Sequence, residues 1–119
     1  MKRLTRAEEE IMQMIWNSGP ILVSALIAQM QNPKPPHSTV SSIVRILEKK
    51  GFISHKAYGR TYEYYPLIKK EEYSKSSLRD VLSKYFNGSP KALVSFLVKE
   101  EEVDVNELKE LLDKLENKK

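Results

Sequence analysis

Cysteine is missing altogether from the 119 residues. That absence removes disulfides, thiolate metal sites and cysteine nucleophiles together, and it fits a reducing cytoplasm. Long apolar runs are missing too. No stretch approaches the roughly 20 residues that a membrane span requires. Residues 1–6 are basic, but the chain turns acidic at Glu8, Glu9 and Glu10 before any leader-like apolar core begins. A cytoplasmic chain without membrane contact is the expectation. Histidine is scarce: His37 and His55 lie far apart with no matching ligands, which favours surface roles over a metal centre. No phosphate loop, catalytic triad or metal cluster can be read from the chain. Neither an enzyme nor a cofactor is therefore expected.

What is present is charge, and it is unevenly placed. Residues 1–70 carry 11 Lys/Arg against 5 Asp/Glu, a net of +6, whereas residues 71–119 carry 9 against 11, a net of −2. A basic half followed by a mildly acidic, leucine-striped half suggests that one part meets a polyanion and the other meets protein. At this length the chain supports one small domain plus an appendage that needs a partner to bury its apolar face.

Local patterns divide the basic half into short elements. Thr5 and Glu8 form a capping box, and Ala7, Ile11, Met14 and Ile15 follow as one apolar stripe, so a helix starts there and ends at Asn17-Ser18-Gly19-Pro20. Trp16 on that helix reads as core. A second, short helix is expected over about 23–31, with Leu22, Leu26 and Met30 on one face, before the prolines of 32–36 break it. A third runs from His37 or Ser38 to Lys50, with Val40, Ile43, Val44 and Leu47 buried and Gly51 as the terminating glycine. Residues 52–58 and 61–65 read as two strands joined at Gly59-Arg60 and stopped by Pro66. Their tyrosines, Tyr58, Tyr62, Tyr64 and Tyr65, are expected to pack on neighbours rather than on a ligand.

Three short helices followed by a β-hairpin is the order of a winged helix-turn-helix. The expected fold class is mainly α (α+β), a winged helix over 1–70 with a small hairpin wing, followed by a three-helix dimerisation segment over 71–119. A major groove admits one helix, and the outer face of the third offers Ser38, Thr39, Ser41, Ser42 and Arg45 to base edges and phosphates. Lys49, Lys50, Lys56 and Arg60 are candidates for phosphate contacts, which are independent of sequence and sensitive to salt. The expected partner is a double-stranded DNA operator. The competing expectation is a winged helix used only for protein–protein contact, and the +6 charge with Arg60 at the hairpin tip argues against it.

The segment after Pro66 is helical throughout. Tyr73, Ser77, Val81, Leu82, Tyr85 and Phe86 share one face of a helix ending at Asn87-Gly88. Ser89-Pro90 opens the next, bearing Leu93, Val94, Leu97 and Val98. Asp104 with Glu107, and Val103 with Leu108, open the last, whose stripe is Leu108, Leu111, Leu112 and Leu115. Val81, Tyr85, Leu93, Leu97, Leu108, Leu111, Leu112 and Leu115 are the expected contacts of a homodimer.

Nearly the whole chain resembles the penicillinase and methicillin-resistance repressor family (BlaI/MecI). The resemblance rests on Trp16, on Lys49-Lys50-Gly51-Phe52-Ile53, on Gly59-Arg60 with Tyr65-Pro66, and on residues 92–98 with the acidic run after them. It implies a dimeric repressor that binds an inverted-repeat operator and is inactivated by a regulatory protease once a membrane receptor senses a β-lactam. It also implies a cleavage site at Ser95–Phe96, where the family has asparagine before the phenylalanine. The recognition helix departs from the family: well-known members open it with Trp-Ser-Pro-Lys-Thr, whereas this chain has Pro35-Pro36-His37-Ser38-Thr39. The operator therefore does not transfer with the resemblance. Copper-responsive relatives carry a C-terminal cysteine cluster, and this chain has no cysteine.

Overall fold

The computed structural model describes residues 1–100 and 104–117, of which 111, 112 and 114–117 are described by backbone alone. The elements in order are α1 (Arg6–Ser18), β1 (Ile21–Leu22), α2 (Val23–Ala28), α3 (His37–Lys49), β2 (Ile53–Tyr58), β3 (Thr61–Pro66), α4 (Lys70–Tyr85), α5 (Pro90–Glu100) and α6 (Val105–Asn117). They fall into two compact units, 1–75 and 76–119.

In the first unit α1 begins as its sequence dictates. The Thr5 hydroxyl accepts from the Glu8 backbone N–H at 3.3 Å, and a Glu8 carboxylate oxygen accepts from the Thr5 N–H at 3.0 Å. Four orphan donors open every helix, and this exchange satisfies two groups reciprocally. At the end of α3, Gly51 adopts φ +85°, the Phe52 N–H reaches the Leu47 carbonyl at 3.0 Å, and the Gly51 N–H reaches that of Glu48 at 3.0 Å. This paired closure turns the chain directly into the hairpin.

β2 and β3 pair in register from Ile53 opposite Pro66 to Tyr58 opposite Thr61. Gly59, at φ +61°, holds the first position of the two-residue turn, so Arg60 projects at the tip. A third strand, which the sequence did not lead us to expect, completes the sheet: β1 pairs with β3, Ile21 opposite Tyr64. The second helix is correspondingly shorter than its expected span over 23–31. It ends at Ala28, and Leu22 belongs to the strand.

Because strand side chains alternate, one face of this sheet carries Ile53, His55, Tyr64 and Ile21 toward the helices. Ile53, Phe52, Met12, Ile15, Leu26, Val40, Val44 and Leu47 are all sealed from solvent, each contributing about 1.5–3 kcal/mol of burial. Tyr73, in the first turn of α4, belongs to this core and not to the stripe it shares by spacing with Val81 and Tyr85. Its ring packs edge-on against Phe52 at 5.5 Å and tilted on Trp16 at 5.9 Å. Its hydroxyl accepts from the Leu4 N–H at 3.2 Å, and the Trp16 indole donates to the Ile68 carbonyl at 2.8 Å. A three-helix core with a three-stranded antiparallel sheet and a projecting hairpin is a winged helix.

The second unit is different in kind. Ser89 caps α5 through the Ala92 N–H at 3.1 Å, and Asp104 caps α6 through the Asn106 N–H at 2.9 Å. Phe86 and Phe96 meet at 5.6 Å. Yet no described residue of this unit is buried. No helix among the described residues is long and apolar enough to cross a membrane.

Candidate nucleic-acid interface

The candidate interface is built on α3. Burial of Val40, Val44 and Leu47 fixes which way the helix faces, and periodicity then turns Ser38, Ser42, Arg45 and Lys49 to solvent together. The first two are small enough to let the helix axis approach a groove floor. Arg45 and Lys49 follow one turn apart, long enough to reach base edges or phosphates. Thr39 is also exposed but sits on the α1 flank, lining a small apolar hollow with Ile43, Pro35 and Met30. Ser41 is half-buried on the opposite flank, turned to the sheet, with its hydroxyl 3.2 Å from Nδ1 of His37.

The hairpin supplies the second part. Arg60 is exposed at its tip. Lys56, expected beside it, lies on the outer face of the sheet, the alternate one to His55, and sits 3.6 Å from the Glu63 carboxylate. The structure thus places Ser38, Ser42, Arg45 and Lys49 on one surface, with Thr39 and Ser41 on its two flanks, Arg60 at the wing tip, and Lys56 turned away.

Lys50 is diverted from phosphate contact altogether. Its ammonium is 2.5 Å from a Glu8 carboxylate oxygen and 3.0 Å from the Arg3 carbonyl. Burial pushes the Glu8 carboxyl up, but the Lys50 hydrogen bond, the Thr5 backbone contact and the Lys50 charge outweigh it and hold the group below its ordinary value. The pair ties the start of α1 to the end of α3. Lys34 is likewise occupied, donating to the carbonyls of Ile27, Ala28 and Met30 at the end of α2.

Sequence reading overlooked the ring cluster between α3 and the hairpin. His55 is hydrogen-bonded through Nδ1 to the Glu48 carboxylate, and its ring lies 4.2 Å from Tyr62 and 5.6 Å from Tyr64. Burial, and then the nearby Glu48 charge, raises the Tyr64 phenol above its ordinary value, with Arg45 opposing. His55 is therefore part of the scaffold that holds the wing against the helix. The cue was available: His55, Tyr62 and Tyr64 share one strand face by simple alternation. No group of three potential metal ligands occurs among the described residues.

On the other unit, Val81, Tyr85 and Leu97 are exposed, while Leu93 and Leu108 are half-buried. The side chains of Leu111, Leu112 and Leu115, and all of Val103, lie outside the described residues. Ser95 and Phe96 are exposed on α5.

Comparison with known proteins agrees with this architecture. The chain is similar to the methicillin resistance regulatory protein MecI of Staphylococcus aureus (strain N315), 27% identical over 116 residues, covering 97% of this chain and 94% of that protein. It is similar to the penicillinase repressor of Bacillus licheniformis, 25% identical over 121 residues and covering 98% and 94%. Among solved structures, the DNA-binding domain of the repressor BlaI matches with a TM-score of 0.53 and 28% identity, over 61% of this chain and 94% of that one. The family model for the penicillinase repressor matches residues 4–117. The chain belongs to the penicillinase repressor family, whose members are transcriptional repressors and not enzymes.

Proposed function

We propose that this chain is a cytoplasmic, dimeric DNA-binding repressor in which α3 enters the major groove of a palindromic operator and Arg60 meets the adjoining backbone. The observation that carries the reading is the outer face of α3. Two small hydroxyl residues and two long cations stand on one exposed surface, held rigid from behind by three sealed aliphatic side chains. Base contacts would come from Ser38, Ser42 and Arg45, with Thr39 and Ser41 at the edges, and phosphate contacts from Lys49 and Arg60. Lys56 contributes least, because it faces away.

Dimerisation follows from the second unit. The described residues of this unit form no core among themselves. Leu78, Val81, Tyr85, Val94 and Leu97 all remain more than a third exposed. A twofold partner that covers them supplies the missing core and spaces two recognition helices for half-sites separated by whole DNA turns. Selection of bound duplexes from a random pool tests both statements. The expected product is a palindrome, with Arg45→Ala and Thr39→Ala weakening its binding and sedimentation showing a dimer at micromolar concentration. A monomer, or a chain that retains no duplex, refutes the reading and favours the protein-contact module.

Inactivation would come from a regulatory protease cutting at Ser95–Phe96. Both residues are accessible, and the cut falls inside α5, separating α6 from the remainder. Tethered half-site binders commonly gain about 10²–10⁴-fold through effective concentration, and cleavage forfeits that gain while leaving the winged helix whole. Residues 1–95 expressed alone should fold and bind operator about 10²–10⁴-fold more weakly than the intact chain. A folded fragment that still dimerises and binds as tightly as the intact chain refutes the switch.

A further inference from the structure

Beside the outer face of α3 lies a cavity of about 260 Å³, enclosed by the start of α2, the start of α3 and the tip of the hairpin. Its polar lining includes Ser24, His37, Ser41, Arg60, Thr61 and Tyr62. Chemically those are one guanidinium, one imidazole and four hydroxyls, with no carboxylate in the lining. Arg60, His37, Ser24 and Tyr62 can donate to an oxyanion, and the guanidinium supplies a permanent positive charge, whereas the Thr61 hydroxyl already donates to the Tyr58 carbonyl at 2.9 Å. Such a lining, with a guanidinium and no carboxylate, is poorly matched to a cation; Leu22, Val23 and the Tyr64 ring complete it.

We propose that this cavity seats a single DNA backbone phosphate, with His37, Ser24 and Tyr62 as donors alongside Arg60. The proposal rests on the DNA-binding reading and extends it to residues outside the reading face. His37 is the distinctive member. The Ser41 hydroxyl stands 3.2 Å from Nδ1; where it donates there, the ring proton resides on Nε2, and that nitrogen becomes a phosphate donor. Tyr62 is supported from behind by the His55 ring, itself held by Glu48, so its phenol is presented by a fixed scaffold. The location suits the occupant. When a recognition helix lies in the major groove, the preceding helix crosses the backbone, and this cavity lies where the start of that preceding helix meets the wing. A phosphate seated there would fix how deep α3 inserts, a positioning role that is independent of base sequence.

The test uses the full-length chain and a labelled duplex of arbitrary sequence, about 30 base pairs long, since the phosphate term is sequence-independent. Expected are losses of ~3–10-fold for His37→Gln, Tyr62→Phe and Ser24→Ala, the size of one charge-assisted hydrogen bond at a partly wet site. Arg60→Gln should also flatten the dependence of log K on log salt by ~0.9 for each phosphate released. Asn17→Ala, on the exposed surface of α1, should bind as the parent does. Ring-nitrogen NMR provides a readout that needs no variant to fold, and with only two histidines the assignment is simple. The His37 signals should move on adding duplex, and much less with millimolar inorganic phosphate. Parent-like affinity in His37→Gln and Tyr62→Phe, with Arg45→Ala impaired, overturns the seat but leaves DNA binding standing. Equal shifts with free phosphate overturn its assignment to the backbone. A parent chain that retains no duplex at low salt overturns both.

Discussion

The contact between Glu8 and Lys50 is the sharpest place to test how the recognition helix is held. Glu8 is 6% exposed. Its carboxylate serves two partners at once, the Thr5 backbone N–H and the Lys50 ammonium. Glu8→Gln keeps an oxygen for Thr5 but removes the charge facing Lys50. Breaking a fully buried pair costs about 3–5 kcal/mol, and an exposed pair is worth about 0–1. The Lys50 side chain is 22% exposed, so about 1–2 kcal/mol at neutral pH is the reasoned magnitude. Glu8→Ala loses the cap as well, adding about 1 kcal/mol.

The pH dependence carries a definite sign. The folded-state value of Glu8 is depressed below its ordinary 4.5, so its stabilisation is fully present above that value. It is lost as pH falls through the lower, folded-state one. Protonation of Glu8 removes the same charge that the glutamine substitution removes. The stability gap between parent and Glu8→Gln should therefore be widest at neutral pH and narrow as pH falls below 4.5 through the lower, folded-state value. Urea unfolding followed by circular dichroism, repeated across that range, measures it. A gap that is absent at neutral pH, or that stays constant into acid, would refute the account of Lys50 as a structural cation.

Tyr73→Ala should destabilise the chain by about 3–5 kcal/mol, because it empties a site between Phe52 and Trp16; Tyr73→Phe should cost about 1 kcal/mol, the Leu4 N–H losing its acceptor. Both are read from urea midpoints. Lys34→Met should cost about 0.5–1 kcal/mol by leaving three carbonyls at the end of α2 without their cation, and its duplex affinity should match the parent's within twofold, about 0.4 kcal/mol. Gly51→Ala places a side chain at φ +85° and should lower stability by about 1 kcal/mol, measured as a fall in thermal midpoint.

How much of this was legible beforehand follows the range of the interactions. The Thr5–Glu8 box, the Ser89 cap, the Gly51 terminator and the α3 stripe are settled within a few residues of themselves, and each formed where its spacing implied. Tyr73 misled because its periodicity with Ser77 and Val81 is real, while its partners Leu4, Trp16 and Phe52 lie far back in the chain. β1 left no pattern to find: two residues after Gly19-Pro20 cannot display alternation, and only the Tyr64 edge of β3 makes them a strand. The cavity beside α3 was hidden for the same reason, since Ser24, His37 and Tyr62 come from three separate elements.

The charge count shows why such distances matter to function. A net of +6 over residues 1–70 points to a polyanion, but it does not say which cations are free to meet one. Lys50 is committed to Glu8 and Arg3, Lys34 to the end of α2, and Lys56 leans on Glu63 from the outer face of the sheet. Each of these spends its charge within the fold, where it neutralises a carboxylate or a helix end. Arg45 and Lys49 on α3, and Arg60 at the wing tip, stand exposed. Two of the three are arginines, the side chain suited to bidentate contact with guanine or phosphate. The basic half of the chain thus does two separable jobs. Three of its seven lysines, Lys34, Lys50 and Lys56, contact other groups of the fold, and two of its four arginines, Arg45 and Arg60, stand exposed on α3 and the wing. A substitution series that treated the cations as one electrostatic patch would mix losses of stability with losses of affinity. Sorted by partner, the same series separates them.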